Sequence, residues 1–270
     1  TRYTFRWHLN AWMTQKALTP YLTEKFDYGD TFYYITADYA WGYSLEHAFQ
    51  HATETAGFDT AGSTRTDLGQ KDFSQAVKNA EKADPDILVL TLIGYDLVNA
   101  MREVHQSDLD PDIPIVVPVM FLKLAHSLGS EITENVISTT TFYWEMQDRY
   151  SGSQEFVSAY RDAYGEPPEM TGAAAWVAIM EWASAAERAG SFNSTPVVKE
   201  LEGHTFNLLK DKEKWRSWDH QAVSSVLLLE GKSKEEMEGD WDLFRIAEEI
   251  PGSEVVRSRE ENPVMLEPLE

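Results

Sequence analysis

Few residues in this chain are spaced for covalent chemistry. Cysteine is absent, which removes thiol catalysis, disulfides and cysteine-ligated metal. His47 and His51 stand four apart on one helix face, a spacing that can bind metal. The intervening Ala48-Phe49-Gln50 offers no third ligand and there is no His-Glu-x-x-His pattern, so a solvated helix face is the simpler reading. Asp108, Asp110 and Asp112 alternate like the start of a calcium loop. Ile113 stands where that loop needs glycine and Pro114 follows, which leaves a polar loop. No Gly-x-Ser-x-Gly elbow, phosphate loop or Gly-x-Gly-x-x-Gly after a strand is present. No catalytic residue, metal or cofactor is expected. What remains are side chains suited to holding a molecule. Tyr39 and Trp41 lie in the turn Asp38-Tyr39-Ala40-Trp41-Gly42, and Tyr95 and Asp96 lie in Gly94-Tyr95-Asp96. Aromatic side chains offer large apolar area with little rotational freedom to lose. The competing reading is that Tyr39 and Trp41 pack their turn against the next helix. Asp96 can accept from a ligand amine or amide, or serve as an acid at a helix start before Leu97.

These turns matter because of the strands before them. Residues 87–93 form a short, almost unbroken apolar run between Asp84-Pro85-Asp86 and Gly94-Tyr95-Asp96. The run is too short for a typical helix and does not alternate, so it reads as a strand buried on both faces in a helix-covered parallel sheet. Open sheets of that kind place ligands at the carboxyl ends of their strands. Strands are predicted at residues 3–9, 31–36, 58–66, 87–93, 114–120 and 136–143, with Pro118 ending the pairing of the fifth early. Helices are predicted at 14–26, where Pro20 can kink or split the helix, and at 44–56, closed by Gly57. Two more follow at 73–83 and 97–105. This βαβαβαβ alternation argues for a parallel sheet over residues 10–143.

After Trp144 the character changes. Helices are predicted at 154–164 and 173–189, the second burying Ala175, Trp176, Ile179, Met180 and Ala183, and another begins near Thr195-Pro196. No strands separate these helices, so they must cover a sheet made elsewhere. A hairpin is expected within 205–229, with 222–229 as its second arm. The Glu- and Pro-rich end from Glu248 is expected to lie extended on the surface.

The 270 residues carry 23 Lys plus Arg against 45 Asp plus Glu, a formal charge of −22 spread along the chain. Such a surface repels nucleic acid and anionic membranes. Its self-repulsion is relieved by strong salt, which points to a halophilic source; an ordinary acidic secreted protein is the alternative. No stretch is apolar for long enough to span a bilayer. The charged opening Thr1-Arg2-Tyr3-Thr4-Phe5-Arg6 does not read as a leader, and a fragment that has lost one would look the same. Asn193-Ser194-Thr195 has the form of a glycosylation sequon, followed by Pro196.

Thr4-Phe5-Arg6, Asp38-Tyr39-Ala40-Trp41-Gly42, Gly69-Gln70-Lys71-Asp72-Phe73-Ser74, Pro85-Asp86-Ile87, Phe142-Tyr143-Trp144 and Trp218-Asp219-His220-Gln221 occur in this order. Together they resemble the type I periplasmic or extracellular solute-binding proteins, in the branch serving branched-chain amino acid, amide and urea ABC importers. The resemblance implies an α/β fold of two Rossmann-like lobes joined by hinge crossings, which trap a small polar solute in a cleft. It implies a non-enzymatic receptor whose partners are that solute and the membrane permease of an ABC importer, with no nucleic acid. It places residues 1–9 in a first-lobe strand and first crossing, and 10–143 in the second lobe. Residues 144–203 become return helices of the first lobe, and 204–270 a final crossing, hairpin and acidic tail. The family's opening βα units have no counterpart, so the first lobe is incomplete. A haloarchaeal protein without its N-terminal part, anchored outside the cell through a lipoprotein segment, is the expectation.

The resemblance also assigns ligand contacts to Tyr39, Trp41, Tyr95 and Asp96. Met120 and Phe121 fall where amino-acid-binding members carry an acid for the α-amino group, which puts a free α-amino acid in doubt. Trp144 lies at a crossing, where it floors the cleft or simply packs the hinge; Trp12 is a weaker candidate of the same kind. The alternatives from other classes are an α/β enzyme fragment, a hydrolase or nucleotide-dependent enzyme, and the ligand-sensing ectodomain of a receptor.

The charge alone generates a measurement. Thermal melting in dilute buffer and in molar potassium chloride is expected to show a midpoint rising steeply with salt, and an unchanged midpoint removes the halophile reading.

Overall fold

Apolar runs bounded by Pro, Gly and Asp dictate the sheet. In the computed structural model, which describes residues 2–210, 212–262 and 264–269, five segments, most of them such runs, become parallel strands. They are β1 (Thr31–Ala37), β2 (Asp59–Thr66), β3 (Ile87–Thr91), β4 (Ile115–Val119) and β5 (Val136–Thr140). The helices between them are α1 (Ala11–Lys25) before β1, then α2 (Ala40–Ala56), α3 (Ser74–Ala83) and α4 (Gly94–His105), with the short α5 (Leu122–Leu128) and α6 (Ser130–Thr133) before β5. The strand order β5-β4-β3-β1-β2 is parallel throughout, with Tyr34 opposite Val89 on one side and Ser63 on the other. Every residue of β3, β4 and β5 is buried. β2 alternates polar exposed positions with half-buried ones, because it is the sheet edge. At Pro118 the register between β4 and β5 shifts, where the imino acid has no N–H to give.

One helix start, that of α2, differs from expectation for a physical reason, and one possible break does not occur. Pro20 sits inside α1 without splitting it. α2 begins at Ala40, so the aromatic turn is already its first turn, and Gly57 at φ +99° closes it. That early start depends on Gly42: a Cβ there would sit 2.2 Å from the Ala37 carbonyl oxygen, so only glycine lets the helix start press onto the strand end.

In the C-terminal part antiparallel pairing does occur within 205–223, but the expected second arm ends at Val223, and the tail begins after a further strand and a short helix. β9 (Val226–Gly231) joins the large sheet antiparallel to β5, and β10 (Phe244–Ile250) adds outside it, giving β10-β9-β5-β4-β3-β1-β2. Between them lies a 3₁₀ turn at Lys234–Glu236 closed by a Ser233/Glu236 capping box. The apolar Val226-Leu227-Leu228-Leu229 run is buried on both faces, and burial beside β5 outweighs local hairpin closure. Ala11–Thr140 with Leu227–Glu249 therefore form one compact unit.

The second compact unit comprises Thr1–Asn10, Thr141–Val226 and Ile250–Glu270. It holds a 3₁₀ turn at Trp144–Asp148 and three helices, α7 (Ser151–Tyr164), α8 (Met170–Ala189) and α9 (Ser194–Leu201). A three-stranded antiparallel sheet follows, β6 (Thr205–Phe206), β7 (Glu213–Trp215) and β8 (Ala222–Val223), and α10 (Gly252–Val255) comes last. Residues 3–9 do not form the predicted strand; their one ladder contact is a bridge between Arg6 and Gln221. The predicted face of α8 is also corrected. Ala173, Val177, Glu181 and Ala185 are buried, while Ile179 is 66% exposed and Met180 and Trp182 also face out. An alanine-rich helix is nearly apolar all round, so periodicity does not choose its face. A polar group does: Glu181 turns inward to accept from Trp215 Nε1 at 3.0 Å and to pair with His204 Nδ1 at 2.9 Å.

The first unit has one ionic tie that can be tested. Glu230 on β9 accepts from Tyr21 and Lys25 of α1 and from Arg245 of β10, the last at 2.8 Å from Nε. Burial would raise the carboxyl, but these donors outweigh it and hold its pKa down to about 2, against an ordinary 4.5. A depressed acid pKa contributes stability that is complete above pH 4.5 and disappears as pH falls towards 2. Glu230→Gln is expected to cost roughly 2 kcal/mol in denaturant melts at pH 7, a figure reduced for the exposure of Lys25 and Arg245. The same comparison near pH 2 is expected to show no difference. An equal loss at both pH values would mean that packing, not charge, holds α1 to β9.

Candidate functional site

Parallel pairing puts every strand's carboxyl end on one edge of the sheet, and each strand there hands over to a helix or loop. At the end of β1, Asp38 N–H donates to Thr66 O at 2.8 Å, continuing the ladder to β2 one residue past the strand. Tyr39 is then extended, at φ −156° and ψ 172°, and stands at the N-cap position of α2. Trp41 follows in the first turn, and the rings of Tyr39 and Trp41 stack at 6.0 Å and 22°. Both side chains are half-buried.

The two neighbouring loops are tied to each other. Gly69, after β2 and at φ +83°, donates its N–H to Asp96 Oδ2 at 2.8 Å. Asp96 is buried in the first turn of α4, after β3, so one carboxylate joins two strand-end loops. Burial raises the Tyr39 phenol pKa and the Asp96 charge raises it further, which keeps the phenol a hydrogen-bond donor. Tyr95, one residue before Asp96, is 78% exposed. Beneath the edge, Thr91 Oγ1 donates to Thr36 Oγ1 at 2.7 Å, so the strand ends are held by hydroxyls as well as backbone.

At the end of β4, Met120 is buried, and its N–H donates to Ser138 Oγ at 3.0 Å. Phe121 is half-buried at the N-cap position of α5. Trp144 belongs to the other unit. It opens the 3₁₀ turn at Trp144–Asp148, and the Arg161 guanidinium lies 4.7 Å from its ring centre. The structure thus brings Tyr39, Trp41 and Asp96 to one sheet edge of the first unit. Tyr95, Met120 and Phe121 come from loops on the same edge, with the Met120 side chain turned into the core.

Sequence reasoning missed two features of this unit. The Gly69–Asp96 bond joins residues far apart in the chain, and its one visible signal was a glycine in a polar loop. The stacking of His126 on Trp241, at 3.7 Å and 9°, depends on residues 227–249 returning to this unit. Nothing local announces that return. Among the described residues no group of three His, Asp or Glu side chains is placed to hold a metal ion. No described helix is long and apolar enough to cross a membrane.

Comparison with known proteins bears on this arrangement. A family model described as "Periplasmic binding protein" matches residues 1–236. The Leu/Ile/Val-binding protein homolog 4 of Brucella abortus is 23% identical over 245 residues, 88% of this chain. The chain spans 58% of the length of that relative. A periplasmic binding protein from Burkholderia mallei, solved by crystallography, superposes with a TM-score of 0.87 at 25% identity, covering 97% of this chain and 68% of the other. The closed conformation of a leucine-, isoleucine-, valine-, threonine- and alanine-binding protein from Brucella ovis gives 0.80 at 22% identity, covering 94% and 66%. With the family model covering most of its length and the same α/β fold in its structural neighbours, this chain belongs to the periplasmic binding protein family.

Proposed function

We propose that this chain captures a small polar solute outside the cytoplasmic membrane by hinge closure and delivers it to the membrane permease of an ABC importer. The observation that carries the reading is the stacked pair Tyr39 and Trp41 beside the Gly69–Asp96 tie, on the carboxyl edge of the parallel sheet. Family membership supports it and sets aside the enzyme alternative, since the family consists of binding proteins. The Brucella relatives are described as leucine-, isoleucine- and valine-binding proteins, which makes an amino acid one candidate solute. The apolar Met120 and Phe121 argue for a solute without an α-amino group recognised there, such as an amide or a urea-like molecule. Tyr39, Trp41, Tyr95, Asp96, Met120, Phe121 and Trp144 remain the contacts proposed for it.

Calorimetric titration of the complete gene product with leucine, valine, a short-chain amide and urea tests this. At least one is expected to bind, and Trp41→Ala is expected to weaken that binding by about 2 kcal/mol, roughly 30-fold, through loss of an aromatic anchor. The melting midpoint should stay close to wild type, because Trp41 is only half-buried. Equal affinity of the variant and wild type for every solute that binds would exclude this edge as the site.

A further inference from the structure

Lys210, in the loop between β6 and β7, has its amino group buried, 3% of the residue being exposed. A buried ammonium needs strong partners, since removal from water costs several kcal/mol. The partners it has are unusual in their chain positions. Lys210 Nζ donates to Thr141 O at 2.9 Å and to Ser225 O at 2.7 Å. It also lies 5.1 Å from the centre of the Trp7 ring. Trp7 in turn donates its Nε1–H to Glu213 Oε1 at 2.7 Å. Burial drives the Glu213 carboxyl pKa upward, and the Lys210 charge and the Trp7 bond oppose that rise.

These positions are where the chain leaves its unit. The two compact units are joined at 10/11, 140/141, 226/227 and 249/250. Trp7 precedes the first junction, Thr141 begins directly after the second, and Ser225 precedes the third. All of them, with Lys210 and Glu213, lie in the same unit. One buried cation and its neighbouring carboxyl therefore hold three of the four connecting segments on their own side. A lysine present only to fill space has no need of carbonyls from two separate crossings. Main-chain acceptors serve the purpose well, because they fix the backbone itself and not a side chain that can rotate away.

We infer that Lys210, with Glu213, is a positioning pair that pins the roots of the connecting segments and so restricts the motion by which this protein closes. The consequence for solute capture rests on the function proposed above, but the pinning does not. Closure about loosely rooted segments would spread over many directions, and binding would then have to order them at an entropic cost. With the roots fixed, motion is confined to the few backbone angles beyond them.

None of these 270 residues is cysteine, so labels can be placed at chosen positions among them, with any cysteine elsewhere in the gene product replaced by serine. Lys82→Cys on α3 and Glu155→Cys on α7 place one spin label on an exposed position of each unit in the complete gene product. Pulsed dipolar spectroscopy without any solute then reads the width of the inter-label distance distribution. Lys210→Met, which keeps the stem but removes charge and donors, is expected to at least double that width. Should that single variant fail to fold because Glu213 is left unbalanced, the double variant Lys210→Met/Glu213→Gln removes both charges and carries the same expectation. A melting midpoint lowered with the width unchanged, in either variant that folds, would make Lys210 an ordinary stabilising residue and overturn the inference. Because no solute is used, that failure would leave the solute-binding reading standing, and failure of every titration above would leave the pinning standing.

Discussion

The order of β1 to β5 and the helices between them in the first unit follows from parallel pairing. Two parallel neighbours cannot be joined by a tight turn, so each strand must be followed by a crossing that covers the sheet and returns to its starting edge. That demand explains the burial of β3, β4 and β5 on both faces, and hence their Val, Ile and Leu content. It also collects the ends of β1, β2, β3 and β4 on one edge without any residue being selected for that purpose. Selection then acts on the few positions just past the strands. Tyr39, Gly69, Asp96 and Phe121 occupy them, and the Gly69–Asp96 bond keeps two of the loops in a fixed relation. β9 runs antiparallel to β5, and residues 232–243 link it to its neighbour β10 with a 3₁₀ turn and no crossing helix.

Charge divides the same molecule into two regimes. The surplus of acids at the surface opposes compactness and is relieved by salt. The buried acids are arranged differently: Glu230 meets a tyrosine, a lysine and an arginine, Glu181 a histidine and a tryptophan, and Glu213 a tryptophan beside the Lys210 charge. Each joins segments distant in the chain, so buried carboxylates act as cross-links between elements. Salt that eases surface repulsion screens these enclosed contacts much less.

Legibility in the sequence followed the range of the forces involved. The five parallel strands and helices α1 to α4 rest on local runs and periodicity, and their order was readable from residues 10–143; the short α5 and α6 between β4 and β5 were not read. So was Gly57 as a helix end, since a left-handed cap is a local need. The failures were non-local. Residues 3–9 look like a strand, yet find one bridging partner, Gln221, more than 200 residues away. The inward face of α8 was set by Glu181 finding Trp215 and His204, which an apolar stripe through Ile179 and Met180 conceals. The run 226–231 reads equally as a hairpin arm or a sheet strand, and β5 decides between them. That Tyr39, Trp41, Tyr95 and Asp96 lie just past strand ends was legible, because strand ends are. The ties among them were not.

The helix starts along this edge lack a side-chain cap, as do those of α7, α8 and α9 in the other unit. Tyr39, Ile93 and Phe121 stand at the N-cap positions of α2, α4 and α5, and none of them caps with its side chain. Ser, Thr, Asp or Asn at such a position is worth about 1 kcal/mol over an apolar residue. α3 starts on the same edge with Phe73 at its N-cap position, again without a side-chain cap, and Asp72 before it accepts from Ser74 N–H at 2.9 Å. At α4 the acid Asp96 in the first turn accepts from the Gly69 loop, while the first turn of α2 contains no acid. The residues in the cap positions of α2 and α5 are aromatic. A large ring in place of a small polar cap gives up local stability and gains apolar surface beside backbone N–H groups at the positive end of a helix.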